Sequence, residues 1–167
     1  MSCRTVGPSK RYGPPIDLVE AARFEVLGLH EFFVGWFTGT LEDTDDAFAR
    51  LEQSLHAQFS MIAPSGETLD RAAVVASVRA AHSTAGDGFA IEIRDVVARV
   101  TAEDAVLVTY EEWQLDGERV ESRRASTAWF ARAAGAPTRV QWRHLHETFR
   151  VEPPRADDQG AVPASGG

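Results

Sequence analysis

The chain has 167 residues, which is enough for one compact domain and too few for two ordinary ones. Hydrophobic residues make up 44% of the chain and charged residues 25%, as is typical of a soluble globular protein. A formal net charge of -8 argues against nucleic acid or an anionic membrane as a partner, because basic surfaces bind both. Cys3 is the only cysteine, which excludes an intramolecular disulfide and a thiolate metal cage.

The two ends of the chain are rich in Gly and Pro and lack apolar periodicity. We therefore expect a flexible leader over residues 1–15, a folded domain over 16–152 and a disordered tail over 153–167. The leader has no apolar segment of the kind found in secretory signals, and no apolar run in the chain reaches the length of a membrane span. We expect a cytoplasmic protein.

The first half of the folded region has helical periodicity. Apolar residues recur at three- and four-residue steps from Leu18 to Phe37, with Asp17 as a candidate N-cap and Gly39 as a terminator. A shorter helix follows from residue 43 or 44, then a short strand over 57–63, and a third helix runs from residue 68 or 70 to about 83. Three helices are therefore predicted before residue 84.

The second half alternates with a period of two. It predicts four long strands, over residues 89–101, 104–115, 118–132 and 138–152. Asp116-Gly117 is a strong signal for a two-residue hairpin turn. Strands this long favour a strongly curved sheet. The predicted fold class is α+β, with three helices packed on a curved, mainly antiparallel sheet.

The hairpin turns predict which side chains share a face of this sheet. A turn at Asp116-Gly117 pairs Tyr110 with Arg123, and in the last hairpin we pair Trp129 with Trp142. One mostly apolar face, expected to meet the helices, then carries Val106, Val108, Tyr110, Ala125, Thr127, Trp129, Trp142, His144 and His146. The other face carries Glu111, Trp113, Arg124, Phe130, Arg143, Leu145, Glu147 and Phe149, with a charge pair between Arg124 and Glu147.

His144 and His146 admit three interpretations. As a metal pair they need a third ligand, for which Glu112 is the nearest candidate. As acid–base groups they have suitable chemistry near neutral pH. In the third interpretation they are structural histidines, buried and hydrogen-bonded to neighbours such as Thr127.

Three other polar residues are candidates for a site. Tyr110 and Arg123 could hold an oxyanion or a carboxylate, or form a stacked pair at the rim. Asp95 lies in the middle of a strand and is either an inward-facing catalytic base or a residue at the edge of the sheet.

The order of these elements and several short segments resemble the SnoaL-like group of the nuclear transport factor 2-like superfamily, which has a cystatin-like cone. The resemblance covers about residues 16–151, and its matching segments are residues 32–33, 36, 59–66, 105–111, 124–129 and 142–148. It implies a pocket between the helices and the concave sheet, and commonly a homodimer formed through the convex sheet face. Members of the superfamily include isomerases, polyketide cyclases, dehydratases, binding domains and oligomerisation modules such as the calcium/calmodulin kinase association domain, so the fold does not imply one function.

We therefore expect a homodimer that binds a small apolar or weakly acidic molecule and needs no cofactor or metal. The expected pocket residues are Trp36, Phe59, Tyr110, Arg123, Thr127, Trp129, His144 and His146. One alternative is an isomerase- or cyclase-like enzyme in which His144, His146 or Asp95 moves a proton. The other is an oligomerisation module whose cone is filled by its own side chains.

Overall fold

The computed structural model describes residues 17–151, which form three helices and six strands. The predicted leader over 1–15 and tail over 153–167, with Cys3, lie outside the described residues. The elements are α1 (Leu18–Thr38), α2 (Asp45–Ser54), β1 (Leu55–Ile62), β2 (Thr68–Asp70), α3 (Arg71–Ala80), β3 (Phe89–Thr101), β4 (Ala105–Asp116), β5 (Arg119–Arg132) and β6 (Val140–Phe149).

Capping residues visible in the sequence begin and end the helices. The Asp17 carboxylate accepts a hydrogen bond from the backbone N–H of Val19 at 2.9 Å, and Thr44 and Asp70 cap α2 and α3 in the same way. Gly39 ends α1 with a φ of 74°, a conformation that glycine adopts without strain. None of the helices described is long and apolar enough to cross a membrane.

The six strands form one curved sheet in the order β2-β1-β6-β5-β4-β3. All neighbours are antiparallel except β1 and β6, which are parallel. The predicted α+β class, with three helices on a mainly antiparallel curved sheet, is confirmed. The three-residue strand β2 was not predicted.

The predicted register between β4 and β5 is wrong. Tyr110 pairs with Ser126 and not with Arg123. The turn lies one residue later than expected, since Asp116 still pairs with Arg119, and a β-bulge follows within the hairpin. Together these move β5 by an odd number of residues, which turns each of its side chains to the opposite face.

A second bulge overturns the register of the last hairpin. Phe130 pairs with Trp142 and Trp129 pairs with His144, so Arg143 is an extra residue in β6. His144 therefore lies on the opposite face from Trp142, although strict alternation predicts that they share one.

We call the sheet face toward the helices the inner face and the opposite face the outer face. The inner face carries Val106, Val108, Tyr110, Glu112, Arg124, Ser126, Ala128, Phe130, Trp142, Leu145 and Glu147. Ala125, Thr127, Trp129, His144 and His146, all predicted for the inner face, lie on the outer one. Four residues predicted for the opposite face lie on the inner one: Arg124, Phe130, Leu145 and Glu147.

A fully buried carboxylate, Glu25 of α1, joins the helices to the sheet. Arg50 of α2 donates to both of its oxygens at 3.1 Å, Thr138 donates at 2.6 Å and the indole N–H of Trp142 at 3.1 Å. A buried charge is tolerated when it is paired and hydrogen-bonded in this way. Glu25 thus fixes α1 against α2 and β6, and it fixes the distance between α1 and the inner face.

Replacing Glu25 with Ala will destabilise the protein by about 3 kcal/mol, because it leaves the guanidinium of Arg50 without its carboxylate. The measurement is the free energy of unfolding in urea, followed by circular dichroism. Glu31→Ala, at an exposed position of the same helix, is the control and should change stability by no more than about 0.5 kcal/mol. Equal effects of the two substitutions would contradict the role given to Glu25.

Candidate functional site

A cavity of about 170 Å³ lies between the helices and the inner face. Its walls are mainly apolar and include Leu29, Phe33, Phe37, Phe59, Met61, Val74, Val78, Ile91 and Leu145. Its polar lining consists of His30, Tyr110, Glu112, Gln114, Arg124 and Glu147. An apolar cavity with a few polar groups is the usual form of a small-molecule site.

Two buried carboxylates share one guanidinium group at this cavity. Nη1 of Arg124 lies 3.3 Å from Oε2 of Glu147 and 3.6 Å from Oε1 of Glu112. Glu112 and Glu147 are each 3% exposed. The predicted pair between Arg124 and Glu147 is therefore present, but on the inner face and not on the outer one. The two carboxyl groups therefore share this one guanidinium.

His30 of α1 completes the polar cluster. Its Nδ1 donates to the backbone carbonyl of Val26 at 2.6 Å, and its Nε2 lies 3.3 Å from Oε2 of Glu112. Both ring nitrogens therefore have a hydrogen-bond partner. Sequence reasoning missed His30. The available signal was its position on the apolar stripe of α1, beside Val26 and Phe33.

The environment of the two carboxyl groups moves their pKa values in opposite directions. Burial alone raises the pKa of Glu112, but the hydrogen bond and charge of His30, with Arg124 and Gln114, outweigh burial and lower it. Burial and the charge of Glu112 raise the pKa of Glu147 to about 7, against the opposing charges of Arg124 and His30. Near neutral pH, Glu112 is ionised and Glu147 holds a proton for part of the time.

Two buried donors at the cavity have no hydrogen-bond partner among the described residues. They are the hydroxyl of Tyr110, whose residue is 2% exposed, and Nε of Arg124. Burial, followed by the charges of Glu147 and Glu112, raises the pKa of Tyr110 well above its ordinary value, although the charge of Arg124 and the nearby hydroxyl of Ser126, which does not meet hydrogen-bond geometry with it, oppose this. The hydroxyl is therefore protonated at neutral pH. Buried polar groups without a partner are rare in folded proteins and are candidates for ligand contact.

The residues predicted for the pocket separate into three groups. Phe59 and Tyr110 line the cavity. Trp36 is fully buried in the core, where its indole donates to the carbonyl of Val78 at 2.8 Å and its ring stacks on Phe32. The others lie on the outer face and are Arg123, Thr127, Trp129, His144 and His146.

On the outer face, these residues contact other surface groups. Arg123 lies 4.0 Å from the ring of Trp113, and Arg94 lies 3.7 Å from the same ring. His144 forms a 2.8 Å hydrogen bond with Ser60. Trp129 is 43% exposed and lies beneath the guanidinium of Arg143 at 5.5 Å.

An open groove of about 430 Å³ on the outer face brings Asp95, Thr127 and His146 together. Asp95 is exposed and has a φ of 53°, at a bulge where β3 slips against β4. The bulge breaks the alternation that would turn Asp95 inward. Glu112 lies on the inner face, so it cannot join His144 and His146 as a metal ligand. No group of three or more possible metal ligands occurs within residues 17–151.

Residues 23–151 match the protein family described as sucrose-6-phosphate phosphohydrolase C-terminal. A curated relative, sucrose-phosphatase 1 from Nicotiana tabacum, is 23% identical over 127 residues, which cover 75% of this chain and 30% of the relative. The chain thus spans less than a third of the length of that relative.

Solved structures share the fold. An NTF2-like protein of unknown function from Pseudomonas aeruginosa is 31% identical, with a TM-score of 0.70 over 78% of this chain and 99% of the other. A cystatin-like protein from Caulobacter vibrioides is 16% identical, with a TM-score of 0.58 over 84% and 94%. The S. rosetta CaMKII hub is 13% identical, with a TM-score of 0.57 over 83% and 98%. The NTF2-like superfamily predicted from the sequence is confirmed.

Glu147→Gln will change how the stability of the protein depends on pH. The folded state raises the pKa of Glu147 from 4.5 to about 7, so its stabilising contribution is complete below about pH 4.5 and is lost as pH rises through 7. Glutamine does not titrate. Between pH 4.5 and pH 8, the free energy of unfolding of the wild type should fall by at most about 3 kcal/mol relative to that of this variant.

The free energy of unfolding in urea, measured across this pH range, tests the expectation. Glu118→Gln, an exposed substitution in the β4–β5 turn, is the control and should run parallel to the wild type. A constant difference between Glu147→Gln and the wild type at all pH values would show that Glu147 is not perturbed.

Proposed function

The chain belongs to the sucrose-6-phosphate phosphohydrolase C-terminal family, and we propose that it binds a small, mostly apolar molecule in its inner cavity. The observation that carries this proposal is the hydroxyl of Tyr110, which is buried at the cavity without a partner. Leaving a buried hydroxyl unpaired costs roughly 1–3 kcal/mol. A ligand that hydrogen-bonds to Tyr110 recovers this energy.

The size and walls of the cavity support the same proposal. An apolar cavity of about 150 Å³ engineered in another protein binds benzene. A cavity of about 170 Å³ therefore suits a body of one six-membered ring with a small substituent. Phe59, Phe33 and Val74 supply apolar contact area for such a body.

The two alternatives from the sequence have less support. An isomerase- or cyclase-like enzyme that uses His144, His146 or Asp95 would have to work on the outer face, away from the cavity. An oligomerisation module with a filled cone does not agree with an open volume of about 170 Å³.

A sugar phosphate is a poor candidate ligand for this cavity. The name of the tobacco relative describes a whole phosphatase, of which this chain matches 30%. A phosphate group would enter a mainly apolar cavity beside Glu112 and Glu147, whose negative charge repels it.

We also propose that two copies of the chain associate through the outer face. Trp129 is exposed there. Trp113 lies against two arginines and next to Glu111. This surface therefore carries both charge signs, as a self-complementary contact between two copies requires. The hub described for S. rosetta has the same fold and supports this proposal. The cytoplasmic location stays a prediction.

Toluene is a suitable probe of the cavity. Toluene at ten times its dissociation constant should stabilise the wild type by about 1.4 kcal/mol. Met61→Trp, in the cavity wall, should abolish this gain because the indole occupies the ligand volume. Thermal unfolding with and without toluene measures the effect.

The matched control is Leu107→Trp, which adds the same volume at a half-buried position of the outer face and should leave toluene binding unchanged. An identical response of the two variants, or the absence of stabilisation in the wild type, would contradict the cavity proposal.

Trp129→Glu should convert the dimer to a monomer, because it places a charge in the centre of the proposed contact. Light scattering coupled to size-exclusion chromatography gives the mass directly. Phe24→Glu, an exposed aromatic on α1, is the control and should remain dimeric. A wild type that is monomeric at high micromolar concentration would refute the proposed association.

A further inference from the structure

The unpaired groups at the cavity are both donors. Nε of Arg124 carries one N–H and cannot accept a hydrogen bond, and the protonated hydroxyl of Tyr110 can donate. Both atoms are buried, and both residues line the cavity. The part of a ligand that meets them must therefore be an acceptor, of which oxygen is the common case.

A negatively charged acceptor is disfavoured by the neighbours of these donors. Glu112 and Glu147 approach the same guanidinium, so its positive charge is already matched. A ligand carboxylate would add a further negative charge beside these two buried carboxyl groups. Burying a charge without a partner is costly, so such a ligand binds weakly.

A cationic group is disfavoured for a different reason. Each oxygen of the two carboxylates already has a donor: Gln114 and His30 serve Glu112, and Ser126 and Arg124 serve Glu147. An ammonium ion would have to leave its water shell and compete with these donors. It would also place a like charge beside the guanidinium of Arg124, whose Nε cannot accept a hydrogen bond.

We infer that the cavity selects molecules whose polar group is an uncharged oxygen acceptor, a ketone or an alcohol, over carboxylates and amines with the same hydrocarbon body. This inference rests on the proposed function, since it specifies the ligand class of the same cavity. It also departs from the weakly acidic ligand expected from the sequence, because that expectation placed Arg123 at the pocket, whereas the cavity holds Arg124 and two carboxylates.

A set of probes with the same six-membered hydrocarbon ring and different substituents separates the effect of the charge of the polar group from the effect of the shape of the ring. Cyclohexanone, cyclohexanol, cyclohexanecarboxylate, cyclohexylammonium and methylcyclohexane are titrated into the full chain at pH 7.5. Dissociation constants come from the shifts of the ¹³C-labelled methyl groups of Leu29, Met61 and Val74. Cyclohexanone or cyclohexanol should bind at least tenfold more tightly than either charged analogue, because charged groups lose more solvation.

The variant Tyr110→Phe tests whether the ligand oxygen contacts the hydroxyl of Tyr110. It should weaken the binding of cyclohexanone three- to tenfold and leave the affinity for methylcyclohexane unchanged within twofold. The comparison of probes in the wild type needs no variant, so it remains decisive if Tyr110→Phe does not fold.

The outcomes distinguish the two proposals. Binding of methylcyclohexane, with a charged analogue equal to or tighter than the ketone and alcohol, overturns the inference and keeps the cavity as a binding site. Failure of all five probes to bind overturns the proposed function, and the inference with it. Preference for the ketone or alcohol that Tyr110→Phe removes supports both.

Discussion

One guanidinium between two buried carboxylates is the constraint on which the cavity depends. Arg124 lies within 3.6 Å of Glu112 and 3.3 Å of Glu147, in surroundings that are otherwise mainly apolar. Burial and the charge of Glu112 raise the pKa of Glu147 to about 7, so Glu147 holds a proton for part of the time near neutral pH, while His30 hydrogen-bonds to Glu112. The desolvation cost of burying such a cluster is high. Its position at a cavity, beside the buried hydroxyl of Tyr110, is the arrangement on which the proposed ligand binding rests.

The rest of the fold places these groups together. Glu25 links α1 to α2 and β6 through its hydrogen bonds. His30 lies about one and a half turns further along α1, so the position of α1 places it against Glu112. The bulge at Arg143 turns Glu147 inward, although strict alternation from Trp142 would place it on the outer face. Without that extra residue the two carboxylates would lie on opposite faces. The cavity would then hold a single carboxyl group beside Arg124.

The fold could be predicted from local signals, whereas most of the site could not. Helix caps such as Asp17 and Asp70, and the change of period from 3.6 to 2, depend on neighbouring residues and are visible in the sequence. A bulge depends on how a strand packs against its neighbours, and a single extra residue inverts every face beyond it. The sheet face predicted for His144 and His146 was therefore wrong. His30 was missed because a histidine on an apolar stripe is ordinarily a core residue.

The carboxyl carbons of the glutamates report the proton on Glu147 most directly. In ¹³C NMR spectra of a protein labelled at the glutamate side chains, one resonance should titrate with a midpoint near pH 7, and Glu147→Gln should remove it. A second, that of Glu112, should stay at the shift of an ionised carboxylate down to low pH, because its pKa is lowered. The account is contradicted if every glutamate carboxyl is fully ionised above pH 6, since Glu147 would then lack the raised pKa that its burial beside Glu112 gives it.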